Sequence, residues 1–219
     1  LNFTFLQKYY EYFLKGAEIT IILAFFAVLF GTILGLILTL SRRSRFNIVS
    51  LISTAYVEFV RGTPLLVQIY IIYIGLPKLI GRDMPDMLVG AVALSLNSAA
   101  YVSEIIRAGI DAVDKGQMEA ARSLGMNQRL AMFQVVIPQA FKNILPALGN
   151  EFIAIIKDSS MVSVIGVAEL MYNAGIVRGN TALGLEPIIV AAIIYFILTF
   201  TLSRILGYIE RRLKASDIR

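Results

Sequence analysis

From Ile19 to Leu40 the chain carries no charged side chain, and only Gly31 and Gly35 thin the run of larger residues. A helix crosses a ~30 Å hydrocarbon core with about 20 residues of this kind at ~1.5 Å rise each. In lipid every backbone donor and acceptor must be paired within the protein, so a segment like this is expected to be a helix. Ser41-Arg42-Arg43-Ser44-Arg45 closes it with charge. Four more segments follow the same logic, which gives five expected transmembrane helices at about 16–41, 48–76, 87–107, 140–168 and 187–210. The second contains Glu58, Arg61, Gly62 and Pro64, and the fourth contains Glu151, Lys157 and Asp158. The expected fold is an all-α integral membrane protein of one transmembrane domain spanning residues 1–219.

The composition agrees, with 58% hydrophobic and 16% charged residues. Apolar segments recur toward the C-terminal end, so the first is expected to be retained and not cleaved as a signal. With no Cys and no His, disulfides, thiol nucleophiles, imidazole bases and the usual zinc ligands drop out. The net charge of +5 does not form one basic face, which argues against nucleic acid. Lys and Arg gather instead at segment ends, and positive charge is retained on the cytoplasmic side. An N-terminus outside and a C-terminus in the cytoplasm puts Arg42, Arg43, Arg45, Arg107, Lys115, Arg122, Arg129, Lys142, Arg204, Arg211, Arg212, Lys214 and Arg219 inside. Lys8, Lys15, Lys78, Arg82 and Arg178 then lie outside.

A polar stretch at about 111–138 interrupts the apolar pattern on that same side. Asp114 can cap a short helix with Gln117 in capping-box spacing, and Gly125 stands where a left-handed residue would end it. Asn127 can cap a second helix running toward Pro138. Ala120 and Ala121 thin the first helix so that another surface can approach, while Glu119 and Arg122 offer charge to it. This reads as a docking element.

Glu119-Ala120-Ala121, then Gly125, Val135, Ile137 and Pro138 at their spacings resemble the Glu-Ala-Ala motif in the coupling helix of ABC importer permeases. "EFVRGTPLLVQ" (Glu58 to Gln68), "SLNSAAYVSEIIRAGI" (Ser95 to Ile110) and "KDSSMVSVIGVAEL" (Lys157 to Leu170) resemble the polar amino acid branch, most of all its basic amino acid type. The resemblance implies an ABC importer type I permease fold in a bacterial plasma (inner) membrane. It also implies two cytosolic ATPase subunits that bind ATP and Mg, an extracytoplasmic amino acid-binding protein, and pairing with a second permease, expected to be an identical copy. This chain is expected to hold no cofactor and to hydrolyse nothing, because no Gly is followed by Lys as a phosphate-binding loop requires. Glu119, Ala120, Ala121, Arg122 and Gly125 are the expected coupling residues.

An ionisable group on a helix in lipid costs about 2.5–3.5 kcal/mol, so Glu58, Arg61, Lys157 and Asp158 should face protein, water or each other. Glu58 and Arg61 stand at the i,i+3 spacing of an ion pair, beside a Gly62-Thr63-Pro64 break that frees backbone groups. The expected substrate residues are Glu58, Asn97, Ser98, Tyr101, Asp158, Ser159, Ser160 and Met161, with the two carboxylates suited to a cationic amino acid. Polar side chains also join helices to one another, which leaves each with a structural alternative. A self-contained secondary transporter or small channel is the competing reading, but no internal repeat is visible. A membrane enzyme ranks third, for want of a nucleophile and base pair.

Overall fold

The computed structural model describes residues 1–215. Arg219 and the side chain of Lys214, both read above as cytoplasmic charges, lie outside what is described. Every regular element among the described residues is helical: α1 (Leu6–Arg42), α2 (Asn47–Gly62), α3 (Leu65–Ile80), α4 (Asp86–Asp111), α5 (Lys115–Ser123), α6 (Gln128–Ala131), α7 (Ile137–Asp158), α8 (Leu170–Thr181) and α9 (Glu186–Ala215). A π-helical turn at Met132–Val136 joins α6 to α7, and a 3-10 segment at Ser159–Ile165 follows α7.

Contacts fix the direction of each crossing. Gly31 faces Ser98, Gly35 faces Ala99 and Val102, and the Thr39 hydroxyl reaches Ser103, so numbers rise together and α1 runs parallel to α4. The chain between them must therefore return from one membrane face to the other, and α2 with α3 is that return. Gly109 meets Ile144 while Ser98 meets Glu151, so α7 runs antiparallel to α4. Gly149 meets Leu206 and Glu169 meets Tyr195, which turns α9 back parallel to α1. Three single helices are long and apolar enough to cross, and counting each bent pair as one span brings the crossings to five.

The α1–α4 seam depends on missing side chains. A Cβ added at Gly31 would lie 2.8 Å from the Ser98 Cβ, and one at Gly35 would lie 2.9 Å from the Ala99 carbonyl oxygen. Small residues allow such approach where lipid supplies no hydrophobic drive between helices. The opposite side of α1 presents Phe25, Phe30, Ile33 and Ile37 outward, as a lipid-facing helix should. Behind the seam, Leu23, Ala24 and Ala27 pack with Ile69, Leu94, Ile155, Ile156 and Val162 in the main core.

Two expected helices are broken. The second, expected over 48–76 with a break at Gly62-Thr63-Pro64, turns by 117° between α2 and α3. Thr63 and Pro64 are extended there, and Pro64 lacks the N–H that would continue the ladder. The fourth tightens into the 3-10 segment, passes through left-handed Gly166 (φ 91°) and bends by 51° into α8, which lies where a loop was expected. The buried Glu169 carboxylate fixes that second corner by accepting from the Met171 and Tyr172 amides at 2.9 and 2.7 Å. Tyr195 Oη of α9 donates to the same carboxylate at 2.6 Å.

Candidate functional site

At the membrane face where α1, α4 and α9 end, α5 projects as a short separate helix. Asp114 Oδ1 accepts from the Gly116 amide at 2.7 Å and so caps its first turn. At its other end Gly125 adopts φ 90°, donating to the Arg122 carbonyl while the Met126 amide donates to that of Ala121. That pair of bonds is a Schellman closure, which needs a left-handed residue at Gly125. No atom crowds Gly125, so glycine is required here for backbone conformation and not for space. Gln117 completes no reciprocal capping box. Its side-chain oxygen accepts instead from Gln139 Nε2 at 3.2 Å, which ties α5 to the start of α7. Asn127 caps α6 through the Leu130 amide at 2.9 Å. The helix then continues through the π turn into α7 and does not stop at Pro138, the looser π spacing absorbing a residue without an N–H.

Glu119, Ala120, Arg122 and Gly125 are exposed on this element, whereas Ala121 is buried within the chain's own packing. The smallness of Ala121 therefore serves an internal contact. Leu124 is 83% exposed, and Phe133 is 68% exposed between the exposed Leu130 and Ile137, so apolar side chains stay open here among the described residues. A polar helix flanked by open apolar side chains has the make-up of a docking surface.

Inside the bundle, a line of polar groups joins the broken second crossing to α4 and α7. Gln68 Nε2 reaches the Val60 carbonyl at 2.7 Å and the Thr63 carbonyl at 3.0 Å, holding the 117° corner, while its oxygen accepts from Asn97 Nδ2 at 2.8 Å. One residue on, Ser98 Oγ donates to Glu151 Oε1 at 2.9 Å. Glu151 is only 9% exposed and has no ion-pair partner among the described residues. Asp158 follows it by seven positions, two helical turns along the same side of α7, and is half-buried with no ion pair either.

The expected substrate residues divide between this interior and other roles. Asn97 and Ser98 are buried in it, and Asp158 borders it. Ser159 and Ser160 spend their hydroxyls on the Ile156 and Lys157 carbonyls at 2.8 and 2.7 Å, closing the end of α7, and Met161 is exposed. Glu58 is exposed and makes no ion pair among the described residues. The expected Glu58–Arg61 pair does not form, because Arg61 turns to Glu104 at 3.5 Å and stacks on Tyr101 with its guanidinium 5.9 Å from the ring centroid. Glu104 also binds Arg42 and, at 2.8 Å, Arg107. Two residues were not singled out in the sequence. Gln68 carried no visible mark, since its partners come together only at the corner. Glu151 did carry one, its seven-residue spacing from Asp158.

Residues 16–215 match the family model described as "Binding-protein-dependent transport system inner membrane component". The chain is 44% identical over 220 residues to the "Arginine transport system permease protein ArtQ" of Bacillus subtilis (strain 168), covering 99% of each. It is also 44% identical over 205 residues to the "Putative glutamine transport system permease protein GlnP" of Rickettsia bellii (strain RML369-C), covering 94% of each. Among solved structures, one described as "Crystal structure of an amino acid ABC transporter with histidines" superposes with a TM-score of 0.93 at 48% identity, over 97% of this chain and 99% of that one. An inward-facing MetNI methionine ABC transporter superposes with a TM-score of 0.76 at 17% identity, over 92% and 95% of the two chains, and shares the fold.

Proposed function

We propose, from the premise that this chain belongs to the family of binding-protein-dependent transport system inner membrane components and is a permease subunit of an ABC amino acid importer, that its cargo is a cationic amino acid of the arginine, lysine or histidine kind. The observation that carries this reading is Glu151. Among the described residues, this buried carboxylate between α4 and α7 has a serine hydroxyl as its hydrogen-bond partner and no cation of the kind that ordinarily accompanies a buried anion. Asp158, two turns further along, extends the negative character toward one end of the same helix. A guanidinium or ammonium arriving from outside the chain supplies the missing charge. The relative named for arginine supports the reading, and the relative named for glutamine supplies the competing one.

In this account Glu119, Ala120, Arg122 and Gly125, with Leu124 and Phe133 beside them, meet one of two cytosolic ATPase subunits, which hold ATP and Mg. The face carrying α5 is then cytoplasmic, and the N-terminus lies outside a bacterial plasma (inner) membrane. An extracytoplasmic binding protein delivers the amino acid at the opposite face, and a second, identical permease completes the complex. This chain contributes the pathway and no nucleotide chemistry.

The test is competition in proteoliposomes holding the whole complex with its binding protein. Charge-assisted hydrogen bonds contribute about 1.5–3 kcal/mol. Glu151→Gln should therefore cost arginine uptake about tenfold or more while changing glutamine uptake little. An equal loss for both amino acids assigns Glu151 to packing and removes the argument for a cationic cargo.

A further inference from the structure

We propose that the arginine cluster where α1, α2 and α4 meet, on the membrane face that carries α5, binds the phosphodiester of an anionic phospholipid. Thr39, Arg42, Arg43, Thr54 and Arg107 line a cavity of about 190 Å³ there. Arg61 joins them through Glu104, so four guanidinium groups share two carboxylates, Glu104 and Asp111. The cluster keeps two positive charges that no acidic group in it balances. The pairing is also uneven. Arg107 holds both carboxylates at 2.8 and 2.9 Å, while Arg43 has one long contact of 3.4 Å to Asp111 and a side chain 46% exposed. Thr54, which lines the same cavity, has a hydroxyl with no hydrogen bond among the described residues.

A planar guanidinium fork matches phosphate oxygens, and a hydroxyl beside it supplies a further donor. Depth in the membrane selects the source of the phosphate. The cluster begins where the uncharged run of α1 ends, with Leu40 exposed at its edge. On α2, Leu51 and Ile52 are exposed within a turn of Thr54, so a ligand seated on the arginines has apolar surface beside it for acyl chains. Free phosphate has no use for that rim. Anionic headgroups attract basic side chains by about 1 kcal/mol each near the surface, a roughly five-fold effect per arginine. The inference is independent of which amino acid is carried.

The experiment uses the complete complex in nanodiscs of phosphatidylcholine with or without phosphatidylglycerol, and native mass spectrometry counts lipid retained after release. Wild type should retain phosphatidylglycerol in preference to phosphatidylcholine. The double variant Arg43→Gln/Thr54→Val should lose about five-fold or more of that preference, and Arg43→Lys should fall between, keeping charge without the fork. Size-exclusion profile and ATPase stimulation by the loaded binding protein verify that the variants are assembled. Equal retention in wild type and double variant overturns the site. Displacement of phosphatidylglycerol by inorganic phosphate at fixed ionic strength retains the phosphate chemistry but overturns the lipid as its source. Retention by the permease without its ATPase, and none in the complex, assigns the arginines to the ATPase surface and likewise overturns it.

Discussion

Three carboxylates near the membrane interior have three different surroundings, and their chemistry follows from these and not from residue type. Glu151 is buried against one hydroxyl, Asp158 is half-buried with no ion pair among the described residues, and Glu58 faces outward. Glu58→Gln should therefore leave the ratio of arginine to glutamine uptake unchanged, where Asp158→Asn should lower it, and a competition assay on both variants decides. A matching shift for Glu58→Gln would mean that the exposed carboxylate turns into the pathway in the assembled complex. At the coupling end, Gly125→Val should leave the chain inserted but lower transport and ATPase stimulation together, because an L-residue in a left-handed position costs about 1–2 kcal/mol and the Schellman closure opens with it. Full coupled activity in that variant would remove the coupling role. Gly125 was legible in the sequence because its spacing from a capped helix dictates a positive φ. Asn97 was legible only as a polar residue in an apolar helix. Its use became visible with Gln68, its partner 29 positions earlier, because periodicity reports the face of a helix and not what that face meets.

Among the elements, the uninterrupted crossings were the easiest to read, since length and lack of charge suffice for α1, α4 and α9. The broken crossings were harder. Gly62-Thr63-Pro64 announced an interruption, but a proline fixes only its own φ and the restriction on its predecessor. The 117° turn is set by tertiary contacts, chiefly the Gln68 amide bridging Val60, Thr63 and Asn97. Helix α8 was missed for a related reason: its start is stabilised by Glu169 capping and by Tyr195, a residue on another helix. Gln68→Leu should strand the Asn97 amide and two carbonyls, at about 1–3 kcal/mol for each buried group left unpaired. Thermal unfolding in detergent should register that loss. A variant as stable as wild type would show the corner to be held by backbone geometry alone. On the α1–α4 seam, Gly31→Leu should destabilise by at least the ~1–3 kcal/mol typical of overpacking, because the new side chain meets the Ser98 Cβ.

For the whole molecule, one chain carries one α5 docking element and one complete line from Gln68 through Asn97 and Ser98 to Glu151. Nothing in that line calls for a differently built partner, and isologous pairing is the commonest closed arrangement. A homodimer with its two-fold axis along the membrane normal should therefore hold one amino acid in each half. Because the chain has no Cys, a single introduced thiol reports both on cross-linking across the axis and on which face is reached from outside. An obligate, separately encoded second permease would refute the homodimer. The number of crossings follows from helix directions, whereas the sidedness of the bundle was argued from Lys and Arg placement, and thiol labelling at the N-terminal end tests it. The central claim is that this subunit passes a cationic amino acid inward on energy delivered through α5. Its most direct test is uptake of labelled arginine and glutamine into proteoliposomes containing the full complex, with ATP supplied on the α5 side and binding protein on the other. The account predicts ATP-dependent accumulation of arginine over glutamine. Faster uptake of glutamine, or uptake that persists without ATP and follows an ion gradient, would contradict it.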